Sequence, residues 1–405
     1  MLAHTTCALV ILGTALAALL PGTARADEIR SLDEATFLAE LHARSPRLKA
    51  SAARARAATV AIDVAGVRPN PTLSWEREAV PGLDTHDDFL RLAVPLDLSG
   101  RRALRLAAAR EEAEAAAADS SRADFVLEIE ARRVYATAAA ARQRVAGLEA
   151  ARLRLAELVA TLRARSTSGD AADYDAERVA LELDLLDDEL TTVRRERAAA
   201  QVVLGGLLGT PGSPIDASED LRISTVVEAE GRRDHVAAAR SRAGASRTEA
   251  RQARRTWIPR LELGVGVLLA GTATERGLGY VVTLGGELPL LDRGAAAARR
   301  ADATAMMWDA EADALAGEAT AAAAAASLVL AAAAAQARTF NDGPLQRAAR
   351  LTRGAEIAYR EGDRSIVELL DALRAERTTR ARALELLREA RDTELDLWLA
   401  TGRVP

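Results

Sequence analysis

Residues 147–190, GLEAARLRLAELVATLRARSTSGDAADYDAERVALELDLLDDEL, contain the pattern that decides the fold. Ala, Leu, Glu and Arg dominate this stretch, and apolar residues recur three and four positions apart, which is typical of a helix packed along one side. Residues 166–170, STSGD, interrupt the pattern with small polar residues around a glycine, which is turn chemistry. The sequence therefore predicts two helices joined by a turn, forming a helical hairpin.

The helical pattern extends far beyond this turn. No proline occurs between Pro95 and Pro211, and helix-forming residues run from Arg101 to about Leu208. An arm of about 65 residues would be roughly 100 Å long at a rise of 1.5 Å per residue. Because no compact globular domain needs helices of this length, the hairpin 101–208 indicates an elongated molecule.

Composition supports this interpretation and disfavours a nucleic-acid-binding protein. The chain has 405 residues, of which 49% are hydrophobic but only 3% are aromatic. Alanine supplies the difference, and alanine lets helices pack closely without a thick core. The formal net charge is −5, and no Lys/Arg cluster alternates with aromatic residues as a nucleic-acid surface would require.

The first 26 residues have the pattern of an export signal. An apolar run from Cys7 to Leu20 precedes a Pro-Gly pair and the small residues Ala24 and Ala26, which predicts cleavage before Asp27. A membrane anchor is the alternative, but the run is shorter than the roughly 20 residues that span a bilayer. Since Cys7 is the only cysteine, we expect the mature chain to form no disulfide of its own.

Downstream of the signal, the sequence predicts one helix and two strands before the long hairpin. Residues 32–66 are amphipathic, and Ser31 with Glu34 three positions later fits a capping box. Residues 72–98 alternate apolar and polar side chains on both sides of the turn sequence PGLD at 81–84. This alternation predicts a β-hairpin.

The same order of elements occurs twice. We expect a first repeat at 27–208, a linker at 209–225, and a second repeat at 226–402 with a β-hairpin at 259–291 and a helical hairpin at 295–402. Matched landmarks keep offsets of 188 to 194 residues: Pro71 with Pro259, Pro95 with Pro289, Gly100 with Gly294, and Gly169 with Gly362. The near-constant offset predicts an internal duplication.

The predicted strands have the length and alternation of membrane-spanning strands. About 9 to 11 residues suffice for a tilted strand to cross a bilayer, with one face toward lipid and the other toward water. An ordinary soluble sheet is the alternative, but the export signal and the lack of a compact core favour the membrane. Four strands are too few to close a barrel, and open edges in lipid are costly. We therefore expect copies of the chain to close the sheet together, and the pattern permits two copies or more.

An inner-membrane protein is disfavoured. No segment after the signal has 18 consecutive apolar residues without a polar break. Residues 319–337 come nearest, but they are mostly alanine, and we expect them to be too weakly apolar to enter lipid.

Three stretches resemble a known family. Residues 359–372, YREGDRSIVELLDA, and residues 94–102, VPLDLSGRR, together with the duplicated order, resemble TolC-type outer-membrane efflux proteins. Residues 68–74, RPNPTLS, are similar to the CzcC-like branch, which exports heavy-metal cations. The resemblance implies an α+β membrane protein that assembles as a homotrimer, with a 12-stranded β-barrel continued by a periplasmic α-helical tunnel. It also implies residence in the outer membrane of a Gram-negative bacterium.

The resemblance further implies what the protein does and what it works with. The family members are passive exit ducts that receive substrate from an inner-membrane pump and a periplasmic adaptor (membrane fusion) protein, without catalysis or a cofactor. Divalent heavy-metal cations lead as substrates, and small organic drugs or a protein secreted by a type I system are alternatives. A periplasmic coiled-coil adaptor is the alternative from another class, but the paired β-hairpins disfavour it. No HExxH, P-loop or serine-elbow motif occurs, so an enzyme is not expected.

The resemblance places candidate functional residues at the tip of the second helical hairpin. Glu368 and Asp371 lie three positions apart on one helix face and match family positions that line the periplasmic constriction. Rings of carboxylates favour cations, although a solvated helix face is the alternative. Asp175 holds the matching place in the first repeat. Tyr359 and Arg364 match positions that hold the tunnel closed, as a latch between neighbouring hairpins.

Two tryptophans and three histidines complete the set of candidates. Trp75 and Trp257 flank the predicted strands, where aromatic residues at a membrane interface are expected, and ordinary packing is the alternative. His42, His86 and His235 lie in unrelated segments. Their spacing does not suit a metal site, so we expect no bound metal.

Overall fold

The computed structural model describes residues 29–79, 85–167, 173–224, 231, 233–272 and 275–403. The predicted signal peptide, its cleavage site, the turn at 81–84 and Gly169 lie outside these ranges. The helices are α1 (Glu34–Arg44), α2 (Pro46–Gly66), α3 (Arg101–Thr167), α4 (Asp173–Leu207), α5 (Asp234–Arg254), α6 (Ala295–Phe340), α7 (Gln346–Glu361) and α8 (Ile366–Thr401). The strands are β1 (Arg30–Leu32), β2 (Thr72–Ala79), β3 (Thr85–Leu96), β4 (Ile215–Ala217), β5 (Arg260–Thr272) and β6 (Arg276–Glu287).

The predicted first helical hairpin is present as α3 and α4. Its two helices contain 67 and 35 residues, respectively. Buried residues recur every seven positions along both helices and pack into one apolar cluster, which is the pattern of a coiled coil. These residues are Leu148, Leu155 and Leu162 of α3 and Val179, Leu186 and Val193 of α4. The spacing of leucine and valine therefore determines where the two arms meet.

The four long strands form one open antiparallel sheet in the order β2-β3-β5-β6. Each β-hairpin pairs internally, and β3 pairs with β5 to join the two. The register aligns Leu73 with Leu92, Leu92 with Val265, and Val265 with Val282. One face therefore carries a continuous set of exposed apolar side chains. They are Leu73, Trp75, Leu90, Leu92, Val94, Leu263, Val265, Val267, Leu269, Leu278, Tyr280, Val282 and Leu284.

The second helical hairpin is formed by α6, α7 and α8, and its first arm is not a regular helix throughout. A π-helical turn, Asn341–Leu345, separates α6 from α7 and contains Pro344. Proline has no N–H to donate within a helix, so the wider turn accommodates it while the arm continues. This interruption was not predicted from the sequence, because the flanking residues are strong helix formers.

Up to Ala319, the buried residues of α6 are alanines seven positions apart: Ala298, Ala305, Ala312 and Ala319. The helix packs against α5 and α8. By length and composition alone, the stretch Ala295–Glu361 would suffice to cross a membrane, and only 11% of its most apolar window is buried. From the sequence, we expected residues 319–337 to be too weakly apolar to enter lipid. The two assessments differ because alanine counts as apolar by composition, although its methyl group buries little area.

The helix predicted over residues 32–66 is divided at Ser45, and its predicted cap is wrong. Pro46 occupies the first position of α2, where its missing N–H is not needed. The cap of α1 is Asp33, whose Oδ1 accepts a hydrogen bond from the Thr36 N–H at 2.7 Å. Ser31 lies in β1 instead, so the expected capping box does not form.

The predicted linker 209–225 contains β4, which pairs in parallel with β1. Ile215 and Ala217 are buried in the same apolar cluster as Leu204 and Tyr135, and the Tyr135 hydroxyl donates a hydrogen bond to the Leu32 carbonyl at 2.8 Å. The linker therefore fastens the start of the described chain to α3 and α4. Three-residue strands are too short to show alternation in a sequence.

The order of helix, two strands and long hairpin occurs on both sides of β4, and the internal duplication stays a prediction.

Candidate functional site at the tip of the second hairpin

The turn between α7 and α8 explains much of the 359–372 motif as local folding chemistry. Gly362 ends α7 with a φ of 84°, a left-handed conformation that glycine adopts without strain. Ser365 caps α8, and Glu368 completes a capping box by accepting the Ser365 N–H. Glycine, serine and glutamate at these spacings therefore fix the geometry of the tip, and the exposed residues around them remain for function.

Glu368 is held in one orientation by two donors. Its Oε2 accepts the Ser365 N–H at 3.0 Å, and its Oε1 accepts Arg364 Nη1 at 2.6 Å. The Ser365 backbone N–H, followed by the Arg364 guanidinium, lowers the pKa of Glu368 below its usual range. The carboxylate is therefore ionised at neutral pH, and within the single chain Arg364 compensates its charge.

Asp371 lies one turn further along α8 and is less engaged. Its side chain is 67% exposed, and Arg374 Nη1 approaches its Oδ1 at 3.7 Å. This distance is too long for a hydrogen bond, although it permits electrostatic attraction. Asp371 is thus the freer of the two carboxylates that the sequence analysis placed at the tip.

Tyr359 faces the first helical hairpin. It packs against the apolar cluster that α3, α4 and the start of α8 form together. Burial raises the pKa of the Tyr359 hydroxyl, while the nearby charge of Arg165 lowers it and that of Asp175 raises it. The structure therefore places Tyr359 and Asp175, which belong to different hairpins, within range of each other's electrostatic effect. Arg364, by contrast, is exposed and pairs with Glu368 of its own turn.

A buried ionic network that was not predicted from the sequence joins α8 to α3 and α4. Glu182 is only 4% exposed and accepts two hydrogen bonds from Arg374, at 2.8 and 2.5 Å. Glu376 is also buried and pairs with Arg154 at 3.6 Å and Arg380 at 2.7 Å. The available signal was the seven-residue period: Glu182 lies between Val179 and Leu186, at a position that the coiled-coil pattern assigns to the core.

The two tryptophans do not both flank the strands. Trp75 lies within β2, opposite Leu90, and the Arg77 guanidinium lies over its ring at 5.6 Å. Trp257 ends the 3-10 turn that precedes β5, as expected for a flanking residue. Both indoles are exposed. Trp75 is the fourth residue of β2, and the assignment of both tryptophans to a membrane interface stays a prediction.

Among the residues that the structure describes, no group of three or more His, Cys, Asp or Glu side chains could hold a metal ion. Glu368 and Asp371 can attract cations electrostatically, but a bound metal would need further ligands.

Comparisons with known proteins agree with this architecture. Residues 225–403 match the family described as Outer membrane efflux protein. Among solved structures, the chain is similar to CusC with a TM-score of 0.75 and 18% identity, covering 93% of this chain and 94% of CusC. It is similar to VceC of Vibrio cholerae with a TM-score of 0.74 and 18% identity, covering 91% and 96% of the two chains.

A third solved structure has the same fold. The outer-membrane channel OprN matches with a TM-score of 0.73 and 20% identity, covering 91% of this chain and 89% of that one. No curated protein sequence matches the chain. The described chain therefore has the fold of outer-membrane channels, and its second half, residues 225–403, carries the sequence pattern of the outer membrane efflux protein family.

Proposed function

We propose that this chain is the outer-membrane channel component of a tripartite efflux system in a Gram-negative bacterium. It would act as a passive exit duct for substrates that an inner-membrane pump and a periplasmic adaptor protein deliver. The observation that carries this proposal is the joining of a sheet with an exposed apolar face to helical arms as long as the 67-residue α3. At 1.5 Å per residue, that arm extends roughly 100 Å, which suits a tunnel through the periplasm.

The sheet supports assembly from several copies. Within the described chain, β2 and β6 are the outer strands, so each presents one edge without a β-strand partner. Unpaired backbone groups in lipid cost several kcal/mol each, so edges must be satisfied by another chain. Three copies, joined β2 to β6, would supply a closed barrel of 12 strands.

The other face of the sheet supports a water-filled interior. Arg91 and Glu76 lie there with a closest N–O distance of 3.9 Å. Gly264 and Thr283 lie on the same face in paired positions, and a Cβ on Gly264 would come within 2.3 Å of the Thr283 Oγ1. Small and polar residues facing away from the apolar side are the pattern of a barrel lumen.

We propose that Glu368, Asp371 and Asp175 line the periplasmic constriction of this duct. Three-fold symmetry would bring three copies of each carboxylate toward one axis, where their charges favour cations. Tyr359 and Arg364 act as the latch in this proposal. Its support is the packing of Tyr359 against the apolar cluster of the first hairpin and the exposure of Arg364 beside Glu368.

Divalent heavy-metal cations are the proposed substrate class. The carboxylates at the tip and the stretch 68–74 support this choice. Small organic drugs and a secreted protein are the alternatives with the same fold, and the four-stranded sheet argues against a periplasmic adaptor.

The duct is tested by expressing the full chain in a Gram-negative host. We expect the processed protein in the outer-membrane fraction, a mass of three chains in detergent, and ion conductance in planar bilayers. A monomeric protein that is soluble without detergent would overturn the proposal. Substrate is tested by deleting the gene and measuring sensitivity to cobalt, zinc, cadmium, copper and a panel of dyes. Unchanged metal tolerance with increased dye sensitivity would contradict the metal assignment.

A further inference from the structure

Glu182 is a buried anion that binds two cations of α8. Its Oε2 accepts Arg374 Nε at 2.8 Å and Arg374 Nη2 at 2.5 Å, and Arg377 Nη1 lies 3.3 Å from its Oε1. The hydrogen bonds from Arg374 lower the pKa of Glu182, although burial opposes this effect. The carboxylate is therefore ionised inside the interface between α4 and α8.

The same guanidinium also reaches the tip. Arg374 Nη1 lies 3.7 Å from the Oδ1 atom of Asp371, which is on the preceding turn of α8. Glu182 engages the other two nitrogens at hydrogen-bond distance, so Arg374 has only its third nitrogen facing Asp371. Two carboxylates thus compete for one guanidinium, and Glu182 has the closer contacts.

The two carboxylates of the proposed constriction consequently differ in charge balance. Glu368 is bound by Arg364 at 2.6 Å, so that pair contributes little net charge. Asp371 is exposed and its cation is engaged elsewhere. The negative charge that a passing cation would meet is therefore mainly that of Asp371.

We propose that Glu182 sets the charge of the tunnel tip by holding Arg374 in the α4–α8 interface, which leaves Asp371 without a hydrogen-bonded cation toward the lumen. Glu182 is a positioning residue in this scheme, because it acts through Arg374 and does not touch the permeating ion. The inference rests on the proposed function, in which Asp371 lines the constriction. It deepens that function by assigning cation selectivity to a buried residue of the other hairpin.

Removing the charge of Glu182 weakens its attraction for Arg374 relative to that of Asp371. In Glu182→Gln, the amide can accept a hydrogen bond from Arg374 but no longer attracts it as an anion. Arg374 is half-exposed and can turn toward Asp371, three residues earlier on the same helix. Arg374 would then compensate the charge of Asp371 more fully, so each chain would present less negative charge at the constriction.

The test is the K⁺/Cl⁻ permeability ratio from reversal potentials of the full-length channel in planar bilayers under a KCl gradient. We expect Glu182→Gln to lower the ratio roughly twofold or more, as loss of a charge near a narrow lumen should. Glu189→Gln is the matched control, since it removes the same charge seven residues along α4. Glu189 pairs with Arg144 at 3.2 Å and Arg377 at 3.7 Å, and we expect its variant to keep the wild-type ratio.

A second variant acts in the opposite direction and does not depend on Glu182→Gln folding well. Arg374→Met removes the cation for which the carboxylates compete, so we expect the ratio to rise above that of the wild type. The double variant Glu182→Gln with Arg374→Met should match Arg374→Met alone. Circular dichroism and the trimer mass in detergent establish that each variant is assembled.

The outcomes distinguish the role of Glu182 from the role of Asp371 in the proposed constriction. If Asp371→Ala lowers the ratio while Glu182→Gln and Arg374→Met leave it unchanged, the role of Glu182 is overturned and the constriction stands. If Asp371→Ala leaves the ratio unchanged, the constriction itself is overturned, and the inference with it.

Discussion

The carboxylate of Glu34, in α1, accepts a hydrogen bond at 2.7 Å from Arg391, a residue 357 positions later in α8. Arg391 also donates to Glu394 Oε2 at 2.5 Å, and its guanidinium lies 5.0 Å from the centre of the Trp398 ring. Arg132 of α3 binds the same Glu34 oxygen at 2.9 Å. One carboxylate near the start of the described chain thus holds two long helices together.

Replacing Arg391 should destabilise the protein strongly. Its side chain is only 4% exposed, so Arg391→Met would leave the buried Glu394 carboxylate without its cation. We expect the free energy of unfolding to fall by about 3–5 kcal/mol, measured by urea denaturation in detergent. Arg382→Met is the control, because Arg382 pairs with Glu385 and Glu389 on the surface, where a change below about 1 kcal/mol is expected. Equal losses in the two variants would contradict the role of the buried network.

The coiled-coil seam can be tested with two adjacent leucines. Leu186 is 0% exposed in the seam, whereas Leu185 is 57% exposed. Leu186→Ala should lower the free energy of unfolding by about 2–5 kcal/mol, since it leaves a cavity among packed side chains. Leu185→Ala should change it by well under half of that, by the same urea measurement. A larger loss at Leu185 would mean that the seam has been assigned to the wrong helix face.

The heptad leucines show why much of this fold was predictable. Leu148, Leu155 and Leu162 repeat at a spacing that specifies one packed side, and Leu90, Leu92 and Val94 alternate as strand residues do, so local pattern and tertiary packing agree. These signals sufficed for both helical hairpins and for the sheet.

The missed features depend on partners distant in sequence. Ile215 and Ala217 pair with a segment some 185 residues earlier, and three-residue strands carry no readable period. The seven-residue period places Glu182 in the core, but no local pattern identifies its partner Arg374, 192 positions away. The charge balance at Asp371 follows from that same contact, so composition and spacing could not reveal it.

The two faces of β6 can be distinguished by one charge placed at neighbouring positions. Val282 belongs to the exposed apolar face, and Val281 points to the other side. Val282→Arg should impair insertion into the outer membrane, because a cation facing lipid near the bilayer midplane costs about 2–4 kcal/mol. Val281→Arg should insert, since its side chain would face the lumen. The measurement is the amount of protein in the outer-membrane fraction, and the reverse order of the two variants would invert the assigned faces.

The lowered pKa of Glu368 predicts how the tip responds to acid. A carboxyl group whose pKa is lower in the folded than in the unfolded state stabilises the fold above the unfolded pKa, and that contribution is lost as pH falls through the folded pKa. We therefore expect Glu368 to remain ionised below the range where an ordinary glutamate takes up its proton. In Arg364→Gln the transition should move to higher pH, because the second cause of the shift is removed. The measurement is the ¹³C chemical shift of the labelled Glu368 carboxyl group against pH, and an unmoved transition would show that Arg364 does not bind Glu368.

The proposed constriction itself is tested by removing both carboxylates of the tip. Glu368→Ala with Asp371→Ala should lower the K⁺/Cl⁻ permeability ratio in planar bilayers, because three chains would then lose the charges that favour cations near the axis. Glu385→Ala with Glu389→Ala is the matched control: it removes two exposed carboxylates of the same helix, which Arg382 binds, and we expect a smaller effect there. Wild-type selectivity in the tip variant would remove these carboxylates from the mechanism. Comparable losses in both variants would instead assign selectivity to the summed charge of the tunnel, and the tip would then have no special role.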